Sequence, residues 1–237
     1  MNAYNFLKFL ERKGKKEIPI RTKLAYEKDY KIPKNLTVNS DLDLSETRIE
    51  ELPEGLTVKG NLDISNTFIR ELPERLTVEG SLDATGAYIS YIPESVKVGG
   101  SVHLSNTKVK ALPSSWKEIK GNLSAHHSRL ESLSNVQVIY GQAGLRKSDI
   151  IELPEGLRIW GGLIISDTKI KKLPYGLFVG GDLKCFHTGI EEIPKNLIIR
   201  GDFVMFDTPL YDKYSYPEIR RMITERGGEV EGSVIGY

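Results

Sequence analysis

Residues 52–71 read LPEGLTVKGNLDISNTFIRE, and at Leu72 the phrase starts again as LPERLTVEGSLDATGAYISY. Counted from its Leu-Pro, the same frame begins at Ile32, Leu52, Leu72, Ile92, Leu112, Leu133, Leu153, Leu173 and Ile193. Nine copies therefore fill residues 32–212, each of twenty residues except the fifth, which has twenty-one. Pro follows the first residue in eight copies and is Ser134 in the sixth. A Gly closes the first half in eight and is Ser40 in the first copy. A Thr or Ser holds the sixteenth position in eight and is Ala87 in the third. Self-similarity of this period marks a stacked array, in which no repeat buries its apolar face alone and each lends core to its neighbours.

Each recurring residue has a physical task. Leu62 and Ile64 alternate with Asp63, which describes a short strand with one buried face. Leu56 and Val58 flank Thr57 in the same way and describe a second. Gly60 lies between the two strands, where the chain needs either a positive φ or a close backbone approach. Pro53 fixes φ and donates no hydrogen bond, so it belongs to the connecting arc. The Thr67 hydroxyl suits a tight corner, where it bonds local backbone. Ile69 and Leu72 bring the chain back to the core.

The pattern Leu62-x-Ile64-x-x-Thr67-x-Ile69-x-x-Leu72-Pro73 resembles a leucine-rich repeat, over about three quarters of the chain. It departs from that family in carrying Thr or Ser where the family has Asn, which implies a ladder of hydroxyls in place of asparagines. The second strand with its Gly departs further and implies a right-handed β-solenoid more than a horseshoe. The repeat style is similar to that of uncharacterised bacteriophage proteins and of the repeat half of bacterial effector ubiquitin ligases. The ligase reading is set aside. Those enzymes carry a large catalytic domain with a reactive Cys after the repeats, and 25 residues follow Asp212 here. The expected fold is thus mainly β, a nine-repeat solenoid with short parallel strands over residues 32–212. A helical cap over residues 1–31 and a helix-plus-strand cap over 213–237 complete it.

Thirty-three Lys and Arg face 32 Asp and Glu, so no global field calls for nucleic acid or a membrane surface. No apolar run approaches membrane-spanning length. The single Cys185 excludes an intrachain disulfide and fits a reducing compartment. With the bacteriophage resemblance, that compartment is the cytoplasm of a bacterial host cell. Tyr4, Phe6, Leu7, Phe9 and Leu10 predict an N-terminal helix over residues 3–13 rather than a signal peptide. Residues 1–31 carry nine Lys or Arg against four Asp or Glu. The favoured reading is an end cap; the minority reading is a basic arm that touches nucleic acid or an acidic partner. Ser215-Tyr216-Pro217-Glu218 predicts a capping box opening a helix that ends at Gly227, and residues 229–237 predict one more strand. Arg220, Arg221 and Arg226 are expected to form a solvated face.

No GxSxG, P-loop, HExxH or CxxC is present. Cys185 falls at the position of Ile64, Leu104 and Ile165, so it is expected to be a buried core residue and a poor nucleophile. His126 and His127, with Asp167 and His187 further along, raise a metal site only weakly, because strands lie about 4.8 Å apart. The expectation is a non-enzymatic protein without cofactor or metal. Its function then sits on outward positions of the strand that matches the leucine-rich-repeat concave face. These run from an acidic zone (Asp43, Asp63, Asp83) through a basic one (His126, His127, Arg146, Lys147) to a partly apolar one (Ile164, Phe186, Val204, Phe206). Phe178 and Ile198 face outward on the second strand. Two classes follow. One is a factor that docks another protein on its long face, which the bacteriophage resemblance would make an inhibitor or redirector of a host protein. The other is an assembly component that self-associates through its apolar C-terminal repeats.

Overall fold

The computed structural model describes residues 19–26, 30–133 and 135–236. The repeats stack as a mainly parallel β-solenoid. One ten-stranded sheet runs the length of the array in sequential order, from Leu42–Asp43 to Val234–Ile235. Leu42 pairs with Leu62 and Leu62 with Leu82, one coil further on each time. The core is a single column: Leu52, Leu56, Val58, Leu62, Ile64 and Ile69 are all buried, and so are their equivalents in later coils apart from Val98, which is partly buried. The predicted N-terminal helix lies outside the described residues. The helix that is described there, α1 (Ile20–Tyr26), follows Pro19 and packs Ile20 and Leu24 against the core.

The second strand of each coil does not form one continuous sheet. Thr37–Val38, Thr57–Val58, Thr77–Val78 and Lys97–Val98 make a four-stranded sheet. Six strands from Glu118–Ile119 to Glu229–Val230 make another. The break falls where the fifth copy has its extra residue. Leu36, Leu56 and Leu76 each offer a carbonyl to an N–H of the next coil, but Val96 does not. The indole N–H of the buried Trp116 takes that carbonyl instead, at 2.8 Å. The inserted residue moves the backbone donor out of register, and a side chain satisfies the acceptor that would otherwise be lost.

Between the two strands, Gly60 and its equivalents answer to close approach and not to positive φ, since the left-handed glycines lie elsewhere. A Cβ on Gly80 would sit 2.7 Å from the Gly60 carbonyl oxygen. The following residue forms the polar ladder of the array. Asp41 accepts from the Asn61 N–H (2.7 Å), Asn61 from Ser81 (2.8 Å), Ser81 from Ser101 (3.0 Å) and Asn122 from Gln142 (2.8 Å). The expected hydroxyl ladder at the sixteenth position is corrected by the same geometry. Thr67, Thr107, Ser148, Thr168 and Thr208 are buried, and each donates at 2.6–2.7 Å to the carbonyl three residues earlier in its own coil. Their hydroxyls close corners; the tenth position ties coils together.

The last strands step by 31 residues, Phe203 pairing with Val234 and Ile198 with Glu229. The added residues hold α2 (Pro209–Lys213) and α3 (Tyr216–Glu225). The Ser215 N–H and hydroxyl both donate to Glu218, at 2.8 and 2.7 Å, so the capping box is present. Residues 229–235 supply one strand to the six-stranded sheet and one to the long sheet, two strands where one was expected. The three arginines are exposed, as expected of a solvated face, but two of them also bond backbone. Arg220 donates to the carbonyls of Val230 (2.8 Å) and Gly232, and Arg226 to that of Ile193 (2.7 Å). One coil earlier, Ile199 and Gly201 offer the matching carbonyls to Glu231 and Gly232 N–H groups. On the long sheet the Met205 N–H bonds Ile235, whereas the Gly236 N–H bonds the Tyr216 hydroxyl at 3.0 Å. Side chains of α3 thus occupy the hydrogen-bonding places that a coil fills elsewhere. Arg221, also exposed, lies 3.7 Å from Glu225.

Candidate interaction faces

The outward residues of the long sheet carry the sequence-predicted sites. At the N-terminal end Asp43, Asp63 and Asp83 stack in register. Each carboxylate also accepts the N–H two residues on, from Ser45, Ser65 and Thr85, all at 2.9 Å. Such turns end the strand locally, so this acidic row has a structural task of its own. Asp43 is further paired with Arg21 of α1. Its carboxyl is held below the usual range, first by the Ser45 hydroxyl.

Next along the face, His126 is half-buried and its ring occupies the space over Gly144, where a Cβ would collide with it. Burial, with the charges of His127 and Arg146 near by, lowers its pKa. His127 and Lys147 are exposed. They belong to a column with left-handed backbone: Glu46, Asn66, Asn106, His127, Lys147, Asp167, His187 and Asp207 all have φ between 51° and 59°. Asn, Asp and His tolerate that conformation better than most side chains. Their recurrence here therefore follows from backbone, and a ligand is not needed to explain it.

Three members of that column are linked. Arg146 donates to Asp167 at 2.8 Å, Asp167 lies 2.9 Å from His187 Nδ1, and His187 Nε2 lies 2.8 Å from Asp207. Asp167 is held below the usual carboxylate range, chiefly by the Arg146 hydrogen bond. His187 is raised above its ordinary value, chiefly by the bond to Asp167 and then by Asp207. Among the described residues no group of three or more His, Cys, Asp or Glu is arranged to hold a metal ion.

Beside this chain Phe186 and Phe206 stack in parallel, 4.5 Å between centroids and 7° between planes. The His187 ring meets both edge-on, at 5.4 and 5.5 Å, and the Arg146 guanidinium lies 5.6 Å from the Phe186 ring centre. Both phenylalanines are half-exposed, as are Ile164 and Val204, with Lys184 between the latter two. Ser166, in the same column as Arg146 and Phe186, is fully buried with its hydroxyl unpaired. Cys185 is fully buried, and burial pushes its thiol pKa up, as expected of a core residue.

The six-stranded sheet holds residues that strand alternation alone did not single out. Tyr140 and Trp160 are 45% and 51% exposed. Trp160 meets Phe178 edge-on at 5.3 Å, and Arg158 lies over both rings, 5.5 and 4.5 Å from their centres. Phe178 points outward as predicted and is nonetheless buried, in contact with these two neighbours. The eighth position of each repeat, where Tyr140 and Trp160 stand, was the available signal. No helix among the described residues is long and apolar enough to cross a membrane. No protein-family model matches the chain, and no curated protein is significantly similar to it.

Proposed function

We propose that this protein is a non-enzymatic binding scaffold that docks another protein on the outward face of its long sheet, around Phe186 and Phe206. The observation that carries this reading is the stacked, half-exposed aromatic pair, held from below by the coil and from the side by His187 and Arg146. Pre-ordered aromatic residues lose little entropy on binding and supply much of the energy of interfaces. The acidic, basic and apolar zones that succeed one another along the same face give it polarity, and so an orientation for a partner. The bacteriophage-like repeat style makes that partner a host protein which the chain inhibits or redirects, in the host cytoplasm. The helices α2 and α3 serve as the C-terminal cap of the array.

Phe186→Asp with Phe206→Asp tests the reading. Binding to the partner recovered from host extract should be lost while the melting temperature stays near that of the parent. Loss of stability preceding loss of binding would instead make the pair a structural element. If wild-type protein is a defined homo-oligomer by light scattering and the double variant is a monomer, the face serves self-assembly.

A further inference from the structure

The six-stranded sheet carries a second surface whose chemistry differs from the first. Two columns of outward side chains cover it. At one end Glu118 pairs with Lys120, which lies over Tyr140, its ammonium 4.7 Å from the ring centre. At the other end Arg200 pairs with both Glu229 (3.0 Å) and Glu231. Between these self-satisfied ends lie Tyr140, Arg158, Trp160, Phe178 and Ile198. Gly180 follows Trp160 in the same column and leaves the next place without a side chain. A Cβ there would collide with the Trp160 backbone carbonyl.

Arg158 is the exception among the charges of this sheet. Among the described residues it has no carboxylate partner, and its guanidinium contacts are to Trp160 and Phe178. A guanidinium laid on aromatic faces keeps its outer donors available and presents them in a fixed plane. Trp, Tyr and Arg at the centre, with charged pairs at the rim, is the composition of an interface hot spot. The occupant must bring one carboxylate for Arg158 and apolar surface for Trp160. A nucleic-acid strand requires several free cations along its path, and on this sheet the flanking cations are already paired.

We propose that this face binds a protein segment in which an Asp or Glu adjoins an aromatic or branched apolar residue, the carboxylate meeting Arg158 and the apolar side chain meeting Trp160 beside Gly180. The two faces lie on different sheets of the array, so a partner that contacts Arg158 and Trp160 need not touch Phe186 or Phe206. This inference rests on the protein being a binding scaffold but not on which partner the long sheet takes.

The test selects a randomised phage-displayed peptide library on the full-length protein. Recovered peptides should pair an acidic residue with a neighbouring apolar one. Arg158→Glu and Trp160→Ser should each weaken them at least about tenfold, whereas Phe206→Asp should change nothing. Replacing the peptide's acidic residue by Lys should restore binding to Arg158→Glu. That rescue carries the test alone if Trp160→Ser fails to fold. The proposal is overturned if no peptide is enriched, if the peptides ignore Arg158→Glu, or if Phe206→Asp abolishes them. It is overturned equally if single-stranded oligonucleotide binds in a Trp160-dependent way, or if Trp160→Ser disperses a homo-oligomer. None of these results depends on the partner-binding assay of Phe186→Asp with Phe206→Asp, so the two readings fail separately.

Discussion

On the four-stranded sheet the outward strand residues are Thr37, Thr57, Thr77 and Lys97; on the six-stranded sheet their equivalents include Val138, Arg158, Phe178 and Ile198. The inward residues of the two regions are alike in type: Val58 and Val78 on one side and Ile159 and Val179 on the other are buried, with Val38 and Val98 at the ends of the four-stranded sheet partly buried. The same contrast recurs on the long sheet, where Asp63 and Asp83 face out in early coils and Ile164 and Val204 in late ones. A stacked coil asks its inward positions for apolar volume and leaves its outward ones more latitude, although Asp63 and Asp83 also hold the turns after their strands. Outward composition is therefore free to serve something other than folding, and here the aromatic residues gather on both faces of the later coils.

If the two regions differ only outside, their interiors should fail alike. Leu82→Asp and Leu183→Asp each bury an unpaired carboxylate, and each should cost about 5 kcal/mol or more and unfold the array. Denaturant titration measures this. A variant that melts like the parent would mean that its strand does not face the core, and unequal losses would mean that one region is the weaker.

The junction should be the next most sensitive place. Trp116→Ala removes a buried ring and leaves the Val96 carbonyl unpaired, at a cost of about 3 kcal/mol. Hydrogen exchange should then rise around residues 96–119 before it rises at either end. Unchanged exchange there would show that the two sheets are coupled through the long sheet alone.

Corner hydroxyls offer a finer comparison. Thr67→Val and Thr168→Val each remove a 2.6–2.7 Å bond to a carbonyl inside one coil, at about 1 kcal/mol apiece. Their effects should match and should add in the double variant, since they lie many coils apart. Failure to add would reveal long-range coupling along the array.

The smallest effect is one that only the later coils can show. His187 is raised between Asp167 and Asp207, so protonation ties three successive coils. A raised group contributes its stability fully below its unfolded pKa, about 6.5, and loses it as pH climbs through the folded value. The parent should therefore melt slightly lower on the alkaline side of that window. His187→Asn should abolish the difference, and high salt should reduce it because the site is exposed. A pH dependence that survives His187→Asn would place its source elsewhere.

Much of this was legible in the sequence because it follows from residue type at a fixed period. The coil length, the buried positions, the stacking of equivalent residues, the interior place of Cys185 and the capping box at Ser215 depend on alternation and local hydrogen bonding alone. Gly60 was marked as special by the same reading, but its reason was open. Only the stacked structure shows the Asp41 side chain of the preceding coil lying against it, since that contact joins residues nineteen apart. The cost of one extra residue was likewise invisible until the Val96 carbonyl could be seen facing Trp116 and not a backbone donor. The tertiary structure also decided what the outward residues do. Asp63 turns out to hold its own turn, His187 to join two aspartates, and Arg220 to take carbonyls that another coil would have bonded. Trp160 and Arg158 come together over Phe178 because adjacent coils bring residues twenty apart in sequence side by side. Periodicity reports which way a side chain points; what it meets there depends on neighbours one coil away.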